Sequence, residues 1–159
     1  MKKETKTTQI SDVFVFSAVP TWYVLCTNGA CPHRLQCLRY IAGSHAPDSL
    51  ESATCVLPAA LKDGLCRWQD KPTTVVVAYG FTQLYKQVLK QDFTPIRKRI
   101  TELLHGTKLY YQYMRGERPL YPEQQQAISA IVAAYGYDWE VPFDRLDQAY
   151  AYGHAPTQE

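Results

Sequence analysis

Apolar positions along this chain change period near its middle. From Val13 to Leu25 the run is rich in Val, Phe, Trp and Tyr, side chains that fit a pleated surface. Pro20 divides it into two short strands, or a strand and a loop. Thr27-Asn28-Gly29 is a turn signal. Pro32 suits the first turn of a helix, Leu35, Leu38 and Ala42 give that helix an apolar face, and Gly43 can end it in a left-handed conformation. Residues 44–52 are polar and read as a loop. Thr54 to Leu61 reads as a strand up to Pro58, Lys62-Asp63-Gly64 as a turn, and Thr73 to Tyr79 as the strongest strand, closed by Gly80.

Beyond Gly80 the period becomes helical. Phe81 to Leu89 begins the helical region. Thr94-Pro95 reads as an N-cap with a first-turn proline, Ile96, Ile100, Leu103 and Leu104 share one face, and Gly106 stops that helix. Thr107 caps a second helix with Leu109, Tyr110, Tyr113 and Met114 inward, stopped by Gly116. Pro122 opens a third, with Ile128, Ile131, Val132 and Tyr135 on one face and Gly136 at its end. Phe143 to Tyr152 reads as a last, short helix. Ile100, Leu103, Leu104, Leu109, Tyr113, Ile128, Ile131 and Val132 are the expected core of this half.

The pattern predicts an α+β chain: a tail over residues 1–9, a small Cys-bearing lobe with short strands and one helix over 10–80, a lobe of three to four helices over 81–152, and a tail over 153–159. The two lobes are expected to form one integrated domain. No apolar run reaches the ~18 residues a spanning helix needs, and the run from Val13 to Val19 is too short for a secretion signal. The expectation is a cytoplasmic protein with no membrane partner, whose five cysteines are reduced or bound to metal.

Charge adds an asymmetry. Residues 84–120 carry eight Lys/Arg against three acids, and residues 121–159 carry one Arg against six acids. A basic stretch beside an acidic one calls for an explanation in terms of partners.

The chemistry centres on thiols. Cys26, Cys31 and Cys37 fall within twelve residues, and Cys66 follows. Four thiolates suit a tetrahedral Zn²⁺, and the gap between the first two matches ordinary ligand spacing. Arg34 and Arg39 would favour thiolate, and His33 is close enough to compete as a ligand. Cys55, in Thr54-Cys55-Val56, suits a buried strand. Two features oppose the site. The gap from Cys31 to Cys37 matches no zinc-ribbon or plant-type iron–sulfur spacing. A regular helix from Pro32 would also put Cys37 about 240° around and ~9 Å along from Cys31, so a shared metal needs a non-helical 32–35 segment. Reduced metal-free thiols, structural zinc, and an iron–sulfur or thiol-redox role all stay open.

The strings Y-V-L-C-x4-C-P-x5-C-L-R-Y-I-A, then Cys66, then Y-Y-Q-Y-M-R-G-E-R-P-L-Y-P-E-Q-Q-Q-A-I, resemble an uncharacterised family of short bacterial proteins, a domain of unknown function. The resemblance runs from about Val13 to Tyr150. It implies one bacterial domain family with no assigned activity, and so supports the architecture rather than a function.

Arg115 to Gly136 also resembles the tail of a repressor-type helix-turn-helix, over residues 94–136 in all. That likeness makes Thr107–Met114 the recognition helix, with Tyr110, Tyr111, Gln112 and Arg115 as contacts and Lys98, Arg99, Lys108 and Arg118 as further basic positions for DNA or RNA. Glu102 and Gln112 depart from that family's pattern, where a small residue and a buried aliphatic are usual. The plainer reading is a helical hairpin with a solvated basic face. No Gly-rich phosphate loop, nucleophile elbow or H-E-x-x-H supports an enzyme. The function expected is a non-enzymatic binding or regulatory module with a four-cysteine structural metal site. The alternatives are a nucleic-acid-binding protein, an iron–sulfur or thiol redox protein, and a module that binds a protein partner.

Overall fold

The computed structural model describes residues 14–156 and divides the chain into two compact units. The first contains residues up to Thr73 and takes back the chain from Ala151, and the second runs from Thr74 to Tyr150. The expected tail over 1–9, Val13, and residues 157–159 lie outside the described residues. Helix and sheet are mixed, as an α+β chain requires. Among the described residues no helix is long and apolar enough to cross a membrane.

In the first unit the strands are very short. Strand β1 (Leu25–Cys26) pairs in parallel with β2 (Cys55–Val56), and β3 (Leu61–Lys62) pairs antiparallel with β4 (Leu65–Cys66). The hairpin turns on Asp63 and Gly64, at φ 52° and 77°. Both central residues in the left-handed region match the twist of the strands they join. Between β1 and β2 lies helix α1 (Leu38–Ser44), which buries Leu38, Ile41 and Ala42 at helical spacing.

That helix departs from the expected one. It begins after Cys37 rather than at Pro32, and Leu35 is 71% exposed rather than inward. Residues 28–37 form successive turns instead: the N–H of Cys31 donates to Asn28, that of Arg34 to Cys31, and that of Cys37 to Arg34. Cys37 is extended, and the N–H of Leu38 donates to the carbonyl of Asp70 at 2.6 Å. This long-range bond fixes where the helix starts, and it overrides the local preference of Pro32 for a first turn. Gly43 does not end the helix in a left-handed conformation either. It lies within α1, and an added Cβ would run into the carbonyl of Cys26.

The second unit holds β5 (Thr74–Tyr79), α2 (Lys90–Leu103), α3 (Thr107–Met114), α4 (Pro122–Ala134) and β6 (Arg145–Tyr150). The segment expected as a last helix over Phe143–Tyr152 is β6, antiparallel to β5 from Thr74↔Tyr150 to Tyr79↔Arg145. A short isolated helix is marginal, whereas this segment finds a six-residue partner in β5, which has high strand preference. Arg145 lies 4.3 Å from the ring of its cross-strand partner Tyr79. Ala78 exchanges two backbone hydrogen bonds with Leu120 on the other side of β5.

Helix α2 begins at Lys90, not at Thr94, and carries Pro95 inside it. Its start is held by Tyr137, whose hydroxyl accepts from the N–H of Leu89 at 2.9 Å and donates to Asp92 at 2.7 Å. Pro95 lies in the second turn, where it removes the bond to the carbonyl of Gln91. The core joins Ala78, Phe81, Leu84, Ile96, Ile100, Leu104, Tyr110, Leu120, Ile128, Val132 and Val141. Leu103, Tyr113 and Ile131 pack against it half-buried, while Leu109 lies outside that cluster. Helices α3 and α4 end on Gly116 and Gly136 at φ of 78° and 88°, a conformation that disfavours a side chain, whereas α2 ends on His105 at 64°, just ahead of Gly106 at 122°.

Ile128 is fully buried. An Ile128→Ala variant is expected to lose about 2–5 kcal/mol, read as a lower urea midpoint. An unchanged midpoint would mean that the helices do not share this core. Gly116→Val is expected to destabilise by backbone strain, because an added Cβ finds only ordinary contacts there.

Candidate functional site

In the first unit the chain brings Cys26, Cys31, Cys37 and Cys66 to the lining of one small cavity, together with His33, Arg34 and Arg39. Each thiol arrives from a different place: the end of β1, the turn before Pro32, the residue before α1, and the end of β4. Cys55 is opposite Leu25 in the β1–β2 register and is not among the lining residues. All five cysteines are unpaired thiols.

The cavity holds about 30 Å³. That is room for an ion or a single water, and too little for a metabolite. Burial pushes the Cys26 thiol above its usual range, and Cys37, Cys66 and Cys31 push it further in the same direction. The backbone N–H of Asn28 opposes them by donating to the Cys26 sulfur, a contact that favours thiolate. Among the described residues no group of three or more His, Cys, Asp or Glu is arranged to hold a metal ion. The thiols therefore share a cavity without being drawn together around its centre.

The frame of this pocket is Arg39, which is 2% exposed. Its Nε–H donates to the carbonyl of Trp68, Nη1–H to that of Val24, and Nη2–H to those of Gly153 and His154, all at 2.8–3.0 Å. The guanidinium carbon lies 4.7 Å from the centre of the Tyr23 ring and 5.3 Å from that of Trp68. Val24 is two residues before Cys26, Arg39 two after Cys37, and Trp68 two after Cys66. One side chain thus clamps three of the four thiol-bearing segments. Asp70 completes the frame by accepting from the Tyr23 hydroxyl at 2.6 Å and from the N–H of Gly153 at 2.9 Å. Burial and the Asp70 carboxylate hold the Tyr23 phenol far above its ordinary pKa.

Gly153 and His154, expected in a tail, are part of this frame, and His154 stacks on Trp22 with ring centres 4.6 Å apart. Sequence reasoning treated Arg39 only as a charge near the thiols and missed its role as a clamp. A signal was present: an arginine inside the otherwise apolar L-R-Y-I-A run.

The residues considered for nucleic acid lie in the second unit. Lys98, Arg99 and Lys108 are exposed, and Arg99 lies over the Tyr135 ring. Arg97 donates to the Tyr111 hydroxyl, Arg118 donates to the Gln112 side chain at 2.8 Å, and Arg115 is paired with Glu117 at 2.7 Å. Tyr110 is 1% exposed, with its hydroxyl on that of Tyr85, so it belongs to the core rather than to a groove-reading face.

Fold and pocket together define an α+β protein with a thiol-lined cavity in one of its two units. The chain belongs to a family of unknown function (DUF6078), whose model matches residues 1–152. Neither the curated proteins nor the solved structures gave a match.

Two outcomes follow from this geometry. Gly43→Ala should raise intrinsic helix propensity by about 1 kcal/mol yet destabilise the unit, because the new Cβ meets the Cys26 carbonyl and pushes β1 off α1. A raised melting temperature for this variant would refute the close approach. Tyr23 has a folded pKa above its ordinary value of 10.0, so it contributes stability that is complete below that pH and is lost as pH climbs past it. Tyr23→Phe should therefore flatten the fall in stability above about pH 10, measured by urea denaturation across the alkaline range.

Proposed function

We propose that the Cys-bearing unit binds one thiophilic metal ion, with zinc the first candidate, through Cys26, Cys31, Cys37 and Cys66, and that the protein is a non-enzymatic binding module stiffened by that ion. The observation that carries this reading is four thiols from four separate segments lining one ion-sized cavity. Residues 28–37 are turns and one short 3-10 helix (Arg34–Gln36) rather than an α-helix, so the α-helical spacing that would hold Cys37 away from Cys31 does not apply. The Asn28 N–H on the Cys26 sulfur and the two arginines in the lining offset the negative charge that four thiolates would gather.

Binding would draw the thiols inward across the cavity. The gain that would drive that movement is the affinity of thiolates for zinc, about 10–16 kcal/mol of apparent free energy at structural sites in small domains. The unit has reason to need such a contribution, because its two ladders are only two residues long.

The test is elemental analysis of protein purified without chelator, together with melting with and without added zinc. About one equivalent of zinc is expected, with melting raised by the metal and lowered by Cys66→Ser. Less than about a tenth of an equivalent of any metal, with melting insensitive to added zinc, would sink the reading. A brown protein carrying iron and sulfide would replace zinc with an iron–sulfur cluster at the same thiols.

A further inference from the structure

We infer that one ligand position of this site is shared between Cys31 and His33, so that the metal can be held by four thiolates or by three thiolates and one imidazole. The inference rests on the metal reading above and says which donors are fixed and which can exchange.

His33 lines the same cavity as the four thiols, so five donor-bearing side chains border a space whose tetrahedral ion would use four. Its Nε2 lies 3.1 Å from the carbonyl oxygen of Gly64. A carbonyl can only accept, so in the neutral ring the proton sits on Nε2 and the lone pair is left on Nδ1. Metal-binding histidines are set in this way, with one N–H fixed on a backbone carbonyl and the other nitrogen left to the metal. Gly64 is in the turn of the hairpin whose second strand ends in Cys66. The element that delivers Cys66 therefore also fixes the tautomer of His33.

The choice of Cys31 as the exchanging thiol follows from how the others are tied. Cys26 and Cys66 are in paired strands, and Cys37 is the buried residue at the start of α1. Cys31 and His33 lie in one turn, closed by the N–H of Arg34 on the carbonyl of Cys31, with only Pro32 between them. Two donors from a single turn compete for one vertex of a tetrahedron whose other three come from fixed elements. When His33 holds that vertex, the Cys31 thiol is released while the metal stays.

Cobalt(II), which zinc sites accept and which colours according to its ligands, is the probe for the reduced full-length chain. Cys31→Ser and His33→Ala are each expected to keep one equivalent, and the double variant to lose it. Cys31→Ser should show thiolate-to-cobalt absorption weaker than the parent by up to about one quarter, the full quarter if Cys31 holds the vertex in every parent molecule. His33→Ala should leave that band no weaker than the parent's, and stronger to the extent that His33 held the vertex.

A second measurement needs no variant. Limited alkylation of the zinc-loaded chain by iodoacetamide should mark Cys31 first, with the zinc retained in the singly modified protein. Loss of metal by Cys31→Ser as complete as by the double variant, or release of zinc on the first alkylation, would overturn the shared position while leaving a four-thiolate site intact. A parent chain that takes up neither cobalt nor zinc would overturn this inference and the metal reading together.

Discussion

The first unit depends on one buried cation. Its strands are two residues long, so backbone ladders alone cannot hold it. Arg39 supplies what a larger sheet would have given, four hydrogen bonds to carbonyls from three separate segments. A buried guanidinium is costly unless its donors are used, and a carbonyl in an irregular segment is costly unless it finds a donor. Each need satisfies the other. The rings of Tyr23 and Trp68 cover the guanidinium, and Asp70 places a carboxylate one hydrogen bond away, on Tyr23.

This arrangement explains why the thiols face one cavity. The clamp acts two residues from Cys26, from Cys37 and from Cys66, so ordering Arg39 orders all three. Gly43 removes the side chain that would separate α1 from the carbonyl of Cys26. A metal bound there would add to a frame already built by a cation, two aromatic rings and a close backbone contact.

The second unit follows different physics. Its core is a continuous set of aliphatic and aromatic side chains from three α-helices, one strand and the segments that connect them, with glycines at or next to the helix ends. Several of its polar aromatic side chains are engaged within the unit: the Tyr85–Tyr110 hydroxyl pair, Tyr137 at the start of α2, and Tyr111 receiving Arg97. An abundance of tyrosine there is accounted for by packing in which each buried hydroxyl finds a partner.

Local information in the sequence determined what depends on near neighbours. Strand β5, the ends of α3 and α4, the left-handed glycines 106, 116 and 136, the Asp63-Gly64 turn and half or more of the helical core are legible in period and punctuation, because the interactions that decide them span a few residues. The thiol set is legible as a set, since cysteines this dense are unusual outside disulfide-rich and metal-binding chains. Tertiary structure alone decided the rest. The last segment became β6 because its partner strand lies some seventy residues earlier. Helix α1 began at Leu38 because Asp70 holds its first N–H. Arg39 became the centre of the first unit because carbonyls as far away as His154 turn toward it. No local pattern encodes these outcomes, because in each the backbone groups of one segment are satisfied by a distant one, and a buried polar group takes whichever partner the completed fold supplies.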